Sequence, residues 1–210
     1  MPIPKKIKTY LDKQNIDYEE IAHKTVYTAY DAALTLKKEL KEIAKNLIVK
    51  ADNTYALVIV PADKRLDLNK IKKALKAKKI SIPDEKVIVR VLKIKPGAVS
   101  SFGKLHKLEI LVDKAMTGTK KAIFSTGSLS DSVLIKVKDF IQMEEAKMAD
   151  IAMKGGYKIP KATKKKMIKV KNKVASKKKV SIKKKPVAKK VNKKPVKKVV
   201  KKKVAKKKKI

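Results

Sequence analysis

The 210-residue chain contains no cysteine. That excludes disulfides, a thiolate nucleophile and a cysteine-ligated zinc. It has two histidines, His23 and His106, too few for a histidine-rich metal site, although a carboxylate site stays open. No apolar run approaches the roughly 20 residues that a membrane-spanning helix needs. The opening MPIPKKIKTYLDK lacks the apolar core of a secretory signal. These absences predict a soluble, cytoplasmic protein. Glycine is scarce too: there are six, and none before Gly97. No Ser-His-Asp context, Walker loop, Rossmann glycine pattern or zinc spacing is present.

Positive charge, by contrast, is in excess and unevenly placed. Lysine and arginine total 58 against 19 acids. Residues 158–210 carry 27 lysines and no acid, and the remaining 157 residues have a net charge of +12. The segment after Pro160 is built from Lys, Val, Ala and Pro. It has too little apolar mass to form a core and too much self-repulsion to collapse, so disorder is expected. Three parts follow: a globular domain over 1–150, a linker over 151–160 marked by Gly155-Gly156 and Pro160, and a lysine-rich tail over 161–210. The near-absence of arginine favours point-charge contacts to phosphate over reading of base edges.

Periodicity gives the elements of the globular part. Ile7, Tyr10 and Leu11 place a helix over Lys5–Gln14, and Asp17–Ala22 reads as a strand ending at His23. Thr28 is a candidate N-cap, with Asp31 at the third helical position, for a helix over Ala29–Leu40. Its face of Ala29, Ala32, Ala33, Leu36 and Leu40 suits close packing on a sheet, or leaves room for a small ligand. Asn46–Lys50 and Tyr55–Val60 read as adjacent buried strands joined at Asp52-Asn53. Helices are predicted over Asp67–Ala77 and Asp84–Leu92. A strand pair is predicted from Leu108–Val112 and Lys120–Phe124, then a last strand over Val133–Val137 and a closing helix over Lys138–Met148.

Three stretches carry candidate chemistry. Lys45 immediately precedes the first buried strand, where it either faces water or directs its ammonium into a cleft. Lys95–Gly103 (KPGAVSSFG) opens on a Pro96-Gly97 turn and holds only small residues and Phe102. It is either a plain connection with Phe102 as a core plug, or a loop whose backbone groups stand close to a ligand. Ser125–Asp131 (STGSLSD) is a further small-residue loop, centred on Gly127-Ser128.

The order of these pieces is more specific than any one of them. His23, TAYDAA at Thr28–Ala33, AKNLIVK, PGAVSSFG, and FSTGSLSDSV before a strand and a helix together resemble the YbaK/prolyl-tRNA editing-domain family over about residues 1–145. The resemblance implies an α/β (α+β) fold with a mixed, barrel-like sheet flanked by helices, and hydrolysis of mischarged aminoacyl-tRNA without a cofactor or metal. It puts the family's key lysine on Lys45 and its backbone-presenting loop on Gly97–Phe102. Gly97 and Ser101 thus join Lys45 as catalytic candidates. His23, Thr28, Asn46, Ala98, Val99, Ser100, Phe102, Gly127 and Ser128 become substrate-binding candidates.

The Lys45-Asn46 pair looks like the branch that removes alanine from tRNA(Pro), whereas Gly127-Ser128 matches the broader family. Ser101 replaces the proline usual in the loop, and a return to proline there is expected to be tolerated or to shift substrate choice. His23 either borders the pocket or is structural. The implied partners are the 3′ end of an aminoacyl-tRNA, prolyl-tRNA synthetase, and nucleic acid held without sequence preference by the tail. The competing readings are a non-catalytic nucleic-acid-binding protein with a decayed editing fold and histone-like tail, and an adaptor on an anionic membrane surface.

Overall fold

Strand β3 (Thr54–Pro61) lies at the centre of the fold because both its faces are apolar. Leu57 and Ile59 are buried in one core, and Ala56, Val58 and Val60 in another. The computed structural model describes residues 3–94 and 97–155. The Lys95-Pro96 step, Gly156, Pro160 and the predicted lysine-rich tail lie outside the described residues.

The described residues form two sheets. In one, β1 (Tyr18–Ala22), β7 (Asp131–Lys136) and β6 (Lys121–Ser125) run antiparallel in the order β1-β7-β6. The other has the order β4-β2-β3-β5-β8, from β4 (Ile80–Ser81), β2 (Ala44–Ala51), β3, β5 (Glu109–Asp113) and β8 (Lys147–Ala149). Here β4, β2 and β3 pair antiparallel, while β3-β5 and β5-β8 are parallel. A single parallel bridge, Ile43 to Ile123, links the two sheets. The fold is thus mixed α/β as expected, and the two sheets do not close into a barrel.

The main core fills the space between the sheets. Helices α1 (Lys5–Lys13) and α5 (Val137–Met143) close it with Ile7, Leu11, Phe140 and Met143. Phe124 and Phe140 stack at 3.9 Å between ring centroids, and Phe102 meets Phe140 edge-on at 6.0 Å. On the far side of the five-stranded sheet, α3 (Leu68–Ala74) inserts Ile71 against Val49, Val58 and Val60. Helix α2 (Ala29–Leu36) lays Ala32 and Ala33 beside Ile43 and Ile123, where the sheets meet.

Several boundaries differ from the sequence reading, each for a local reason. Helix α2 stops at Leu36 because Lys37 turns left-handed at φ +56° and the Lys38 N–H closes on Ala33 O. Helix α3 is shorter at both ends, with Asp67 capping it by accepting from the N–H groups of Asn69 and Lys70. Helix α4 spans Glu85–Leu92.

The predicted pair of β5 with β6 does not form. The Asp113 carboxylate accepts from Ala115 N–H to start a 3-10 turn over Lys114–Gly118, which sends the chain into the other sheet. The closing helix ends at Met143, Glu145 turns left-handed at φ +49°, and the remainder of the predicted helix becomes β8. Ile151 and Ala152, read as linker, belong to the fold: both donate their N–H to Asp113 Oδ2 at 2.8 Å, and both are buried.

Gly103 marks the tightest approach in this framework. A Cβ there would stand 2.6 Å from Ile110 Cγ1 and 3.2 Å from Leu57 Cδ2. Gly103→Ala is therefore expected to destabilise the protein by about 1–3 kcal/mol through overpacking, read as a lower urea midpoint with unchanged slope.

Candidate active site

A cavity of about 180 Å³ opens where the two sheets meet. Six stretches of chain build it: the loop 23–28, the first turn of α2, the start of β2, the loop 97–99, the end of β6 with the loop that follows, and the start of β7. His23, Thr28, Lys45, Asn46, Gly97, Val99 and Ser128 all line it. The structure thus brings together seven sequence-predicted residues that are up to 105 positions apart in the chain.

The remaining five take other places. Ser101 is fully buried directly behind the cavity wall, and Phe102 lies in the main core. Ala98, Ser100 and Gly127 face a second opening of about 250 Å³, here called the rear cleft. The loop is extended enough to alternate: Gly97 and Val99 line the front cavity, Ala98 and Ser100 the rear cleft. Lys6, Lys93 and His106 also line the rear cleft. Burial holds the His106 pKa below its ordinary value, and the nearby Lys6 charge pushes it the same way.

Lys45 is the second residue of β2, opposite Val60 of β3. A strand paired along its whole length fixes the lysine's backbone. Its side chain is half-buried, and Nζ donates to Lys64 O at 3.3 Å. Burial lowers its pKa from the ordinary lysine value, and the positive charge of Arg65 lowers it further. A partly desolvated ammonium gains more from an arriving anion than one in bulk water does.

Asn46 joins the strand to the loop. Its Nδ2 donates to Val99 O and to Ser101 Oγ, both at 2.9 Å, and its Oδ1 lies 3.2 Å from the same hydroxyl. Ser101 Oγ also accepts from Ser125 N–H at 3.0 Å, while Ser101 N–H donates to Ser125 O at 2.9 Å. One serine thereby fastens β2, the 97–102 loop and the end of β6 to each other.

Hydroxyls hold the next loop in shape: Thr126 Oγ1 donates to the buried Asp131 at 2.6 Å, and Ser128 Oγ accepts from Ser130 N–H. Gly127, at φ +85°, leaves room for its neighbour; a Cβ would press on Ser100 Cβ at 3.3 Å. His23 Nε2 lies 3.0 Å from Ser132 Oγ and Nδ1 2.9 Å from Lys24 O. The Lys24 carbonyl can only accept, so Nδ1 carries a hydrogen. Thr28 caps α2 as expected, accepting from Asp31 N–H at 3.1 Å and donating to the Asp31 carboxylate at 2.8 Å.

Tyr27, Ser125 and Ser132 also line the cavity, and sequence reasoning missed all three. Ser125 and Ser132 flank the Gly-Ser loop and were legible from that position. Tyr27 precedes the N-cap and carries no pattern of its own.

The aminoacyl-tRNA editing domain model matches residues 23–143, more than half of the chain and all of the cavity wall. The chain belongs to the aminoacyl-tRNA editing domain family. A member of this family is a deacylase, an ester hydrolase acting on aminoacyl-tRNA. A curated relative, the prolyl-tRNA editing protein ProX of Acetoanaerobium sticklandii, is 27% identical over 142 residues, covering 65% of this chain and 87% of the relative.

Among solved structures, that of a hypothetical protein superposes with a TM-score of 0.66 at 21% identity, covering 70% of this chain and 99% of that one. A candidate trans-editing enzyme for prolyl tRNA synthetase superposes with a TM-score of 0.62 at 19% identity, covering 71% and 96%. At those identities the two structures bear on the fold alone. Among the described residues no helix is long and apolar enough to cross a membrane, and no three or more carboxylate or histidine groups gather where they could hold a metal ion.

The geometry reverses the expectation for Ser101. Proline would remove the N–H given to Ser125 O and the hydroxyl shared by Asn46 and Ser125 N–H, all in a fully buried position. Ser101→Pro is expected to cost at least about 1–3 kcal/mol, measured by denaturant unfolding, with Ser101→Ala milder because the backbone bond survives.

Proposed function

We propose that the protein is a free-standing trans-editing hydrolase that removes a small amino acid, alanine or cysteine, from mischarged tRNA(Pro). In this reading it works in the cytoplasm beside prolyl-tRNA synthetase. The observation that carries the proposal is a half-buried lysine at the mouth of a small cavity, next to a loop held by the Asn46–Ser101 contact. The name of the ProX relative supports tRNA(Pro) as the nucleic acid.

No nucleophilic side chain is needed, because an aminoacyl ester is already activated. Water attacks the ester carbonyl carbon, the carbon–oxygen bond to the terminal ribose breaks, and the proton from water passes to the departing ribose oxygen. Lys45 binds the terminal phosphate or the carbonyl oxygen and favours the developing oxyanion. Backbone groups of the loop at Gly97 and Val99 fix the terminal ribose and the attacking water, Ser101 anchors that loop from behind, and the free ribose hydroxyl assists. Asn46 and Ser101 hold that loop in place; Thr28, Val99, Ser128 and His23 shape the walls, while Ala98, Ser100, Phe102 and Gly127 support them from behind. Ala29 and Ala32 of α2 line the cavity too. A cavity this narrow discriminates by excluding oversized side chains, the direction in which a pocket rejects strongly.

The polybasic segment is proposed as a separate module following the editing domain. Its 27 lysines displace counterions from nucleic acid and raise the local concentration of tRNA around a small catalytic unit.

Two experiments test these assignments. Lys45→Ala is expected to lower deacylation of Ala- or Cys-tRNA(Pro) at least about 100-fold while the circular dichroism spectrum stays unchanged; full activity in the folded variant removes the lysine from the mechanism. For the tail, residues 1–157 are expected to bind tRNA more weakly than the full chain and with a shallower dependence on salt. Equal affinities at low salt would leave the tail without this role.

A further inference from the structure

Tyr27 is the most exposed of the large apolar side chains among the described residues, at 69% against 53% for Ile82. It lies on the lip of the front cavity rather than on a remote surface. Its backbone is held on both sides. Val26 N–H donates to Leu129 O at 2.9 Å and His23 N–H to Ser130 O at 2.8 Å, and Thr28 is fixed as the α2 cap. Across the mouth, Gly97 turns left-handed at φ +71°, and a Cβ on it would approach Tyr27 O and Leu129 Cδ2 at 3.8 Å. A clamped backbone leaves only the ring's own two side-chain torsions to be ordered on binding.

We propose that Tyr27 is a stacking platform for the terminal adenine of the aminoacyl-tRNA, a binding residue for the substrate's base rather than for its ester. The inference rests on the editing reading of the cavity. The reacting ester sits on the terminal ribose, and the purine leaves that ribose from C1′. A cavity of about 180 Å³ is filled by a small aminoacyl ester and its ribose, so the base lies at the mouth. An exposed aromatic face is the surface on which an unpaired base gains most, and stacking is indifferent to the rest of the tRNA sequence. The 3′ adenine is common to every tRNA, so a platform that reads only its π-face suits an enzyme whose selectivity lies in the amino acid.

The test uses the full chain and tRNA(Pro) carrying 2-aminopurine as the terminal base, whose fluorescence falls on stacking. Wild-type protein is expected to quench it, and Tyr27→Ala to abolish the quenching and weaken binding about 10- to 100-fold. Tyr27→Phe and Tyr27→Trp are expected to restore both. In deacylation, Tyr27→Ala is expected to raise KM more than it lowers kcat.

A substrate with an abasic 3′ terminus separates base stacking from general damage. The wild type is expected to fall to the level of Tyr27→Ala on it, and Tyr27→Ala to lose nothing further. Undiminished quenching in Tyr27→Ala, or an equal loss caused by the substitution on intact and abasic substrates, overturns the proposal. Binding is measured apart from turnover: a wild type that quenches the probe without deacylating any charged tRNA sinks the hydrolase reading and leaves the platform standing.

Discussion

The arrangement of the site depends on one buried hydroxyl. Ser101 Oγ meets the Asn46 amide from β2 and the Ser125 N–H from β6, strands that belong to different sheets. Apart from the bridge between Ile43 and Ile123, the sheets are held together here by side-chain packing, which is strong but does not fix direction. Directional bonds at a fully buried position supply what packing lacks: they set the spacing between the lysine-bearing strand and the glycine loop. The cost of leaving any of these groups unpaired in a dry interior is what makes the contact specific.

Lys45 shows the opposite use of burial. A half-buried ammonium is held where its charged form is penalised, and the penalty lies in the direction that an incoming anion relieves. Two features make that position tolerable. Lys64 O accepts a hydrogen bond from Nζ, and β2 is paired along its whole length with β3, so the strand does not yield to let the side chain escape. Stability stored in the apolar centre of the sheet thus sustains a strained electrostatic position at its end.

Much of this was readable from the sequence because the signals were local. Aliphatic runs marked β2 and β3, Thr28 with Asp31 marked the start of α2, and the order of Lys45, Gly97 and Ser128 placed the pieces that line the cavity. What escaped was non-local or carried by single residues. The partners of β5 depend on where Asp113 sends the chain, and a carboxylate that accepts from both Ala115 and Ile151 gives no periodic signal. Likewise β8 is a three-residue strand inside a stretch with helical spacing, released by a left-handed Glu145. The substitution of serine for proline at 101 reads as a loss in sequence; only the bonds made by its N–H and hydroxyl reveal it as a replacement fastening.

The loop that alternates between front cavity and rear cleft constrains how this protein can change. Gly97 and Val99 face one opening, Ala98 and Ser100 the other, and Gly127 of the next loop leaves no room for a side chain of its own beside Ser100. A partition one chain thick has no neutral side, so enlarging a residue on either face displaces the other. Divergence toward a different amino acid is therefore channelled away from the partition and onto α2, where Ala29 and Ala32 line the front cavity without sharing a wall with the rear cleft.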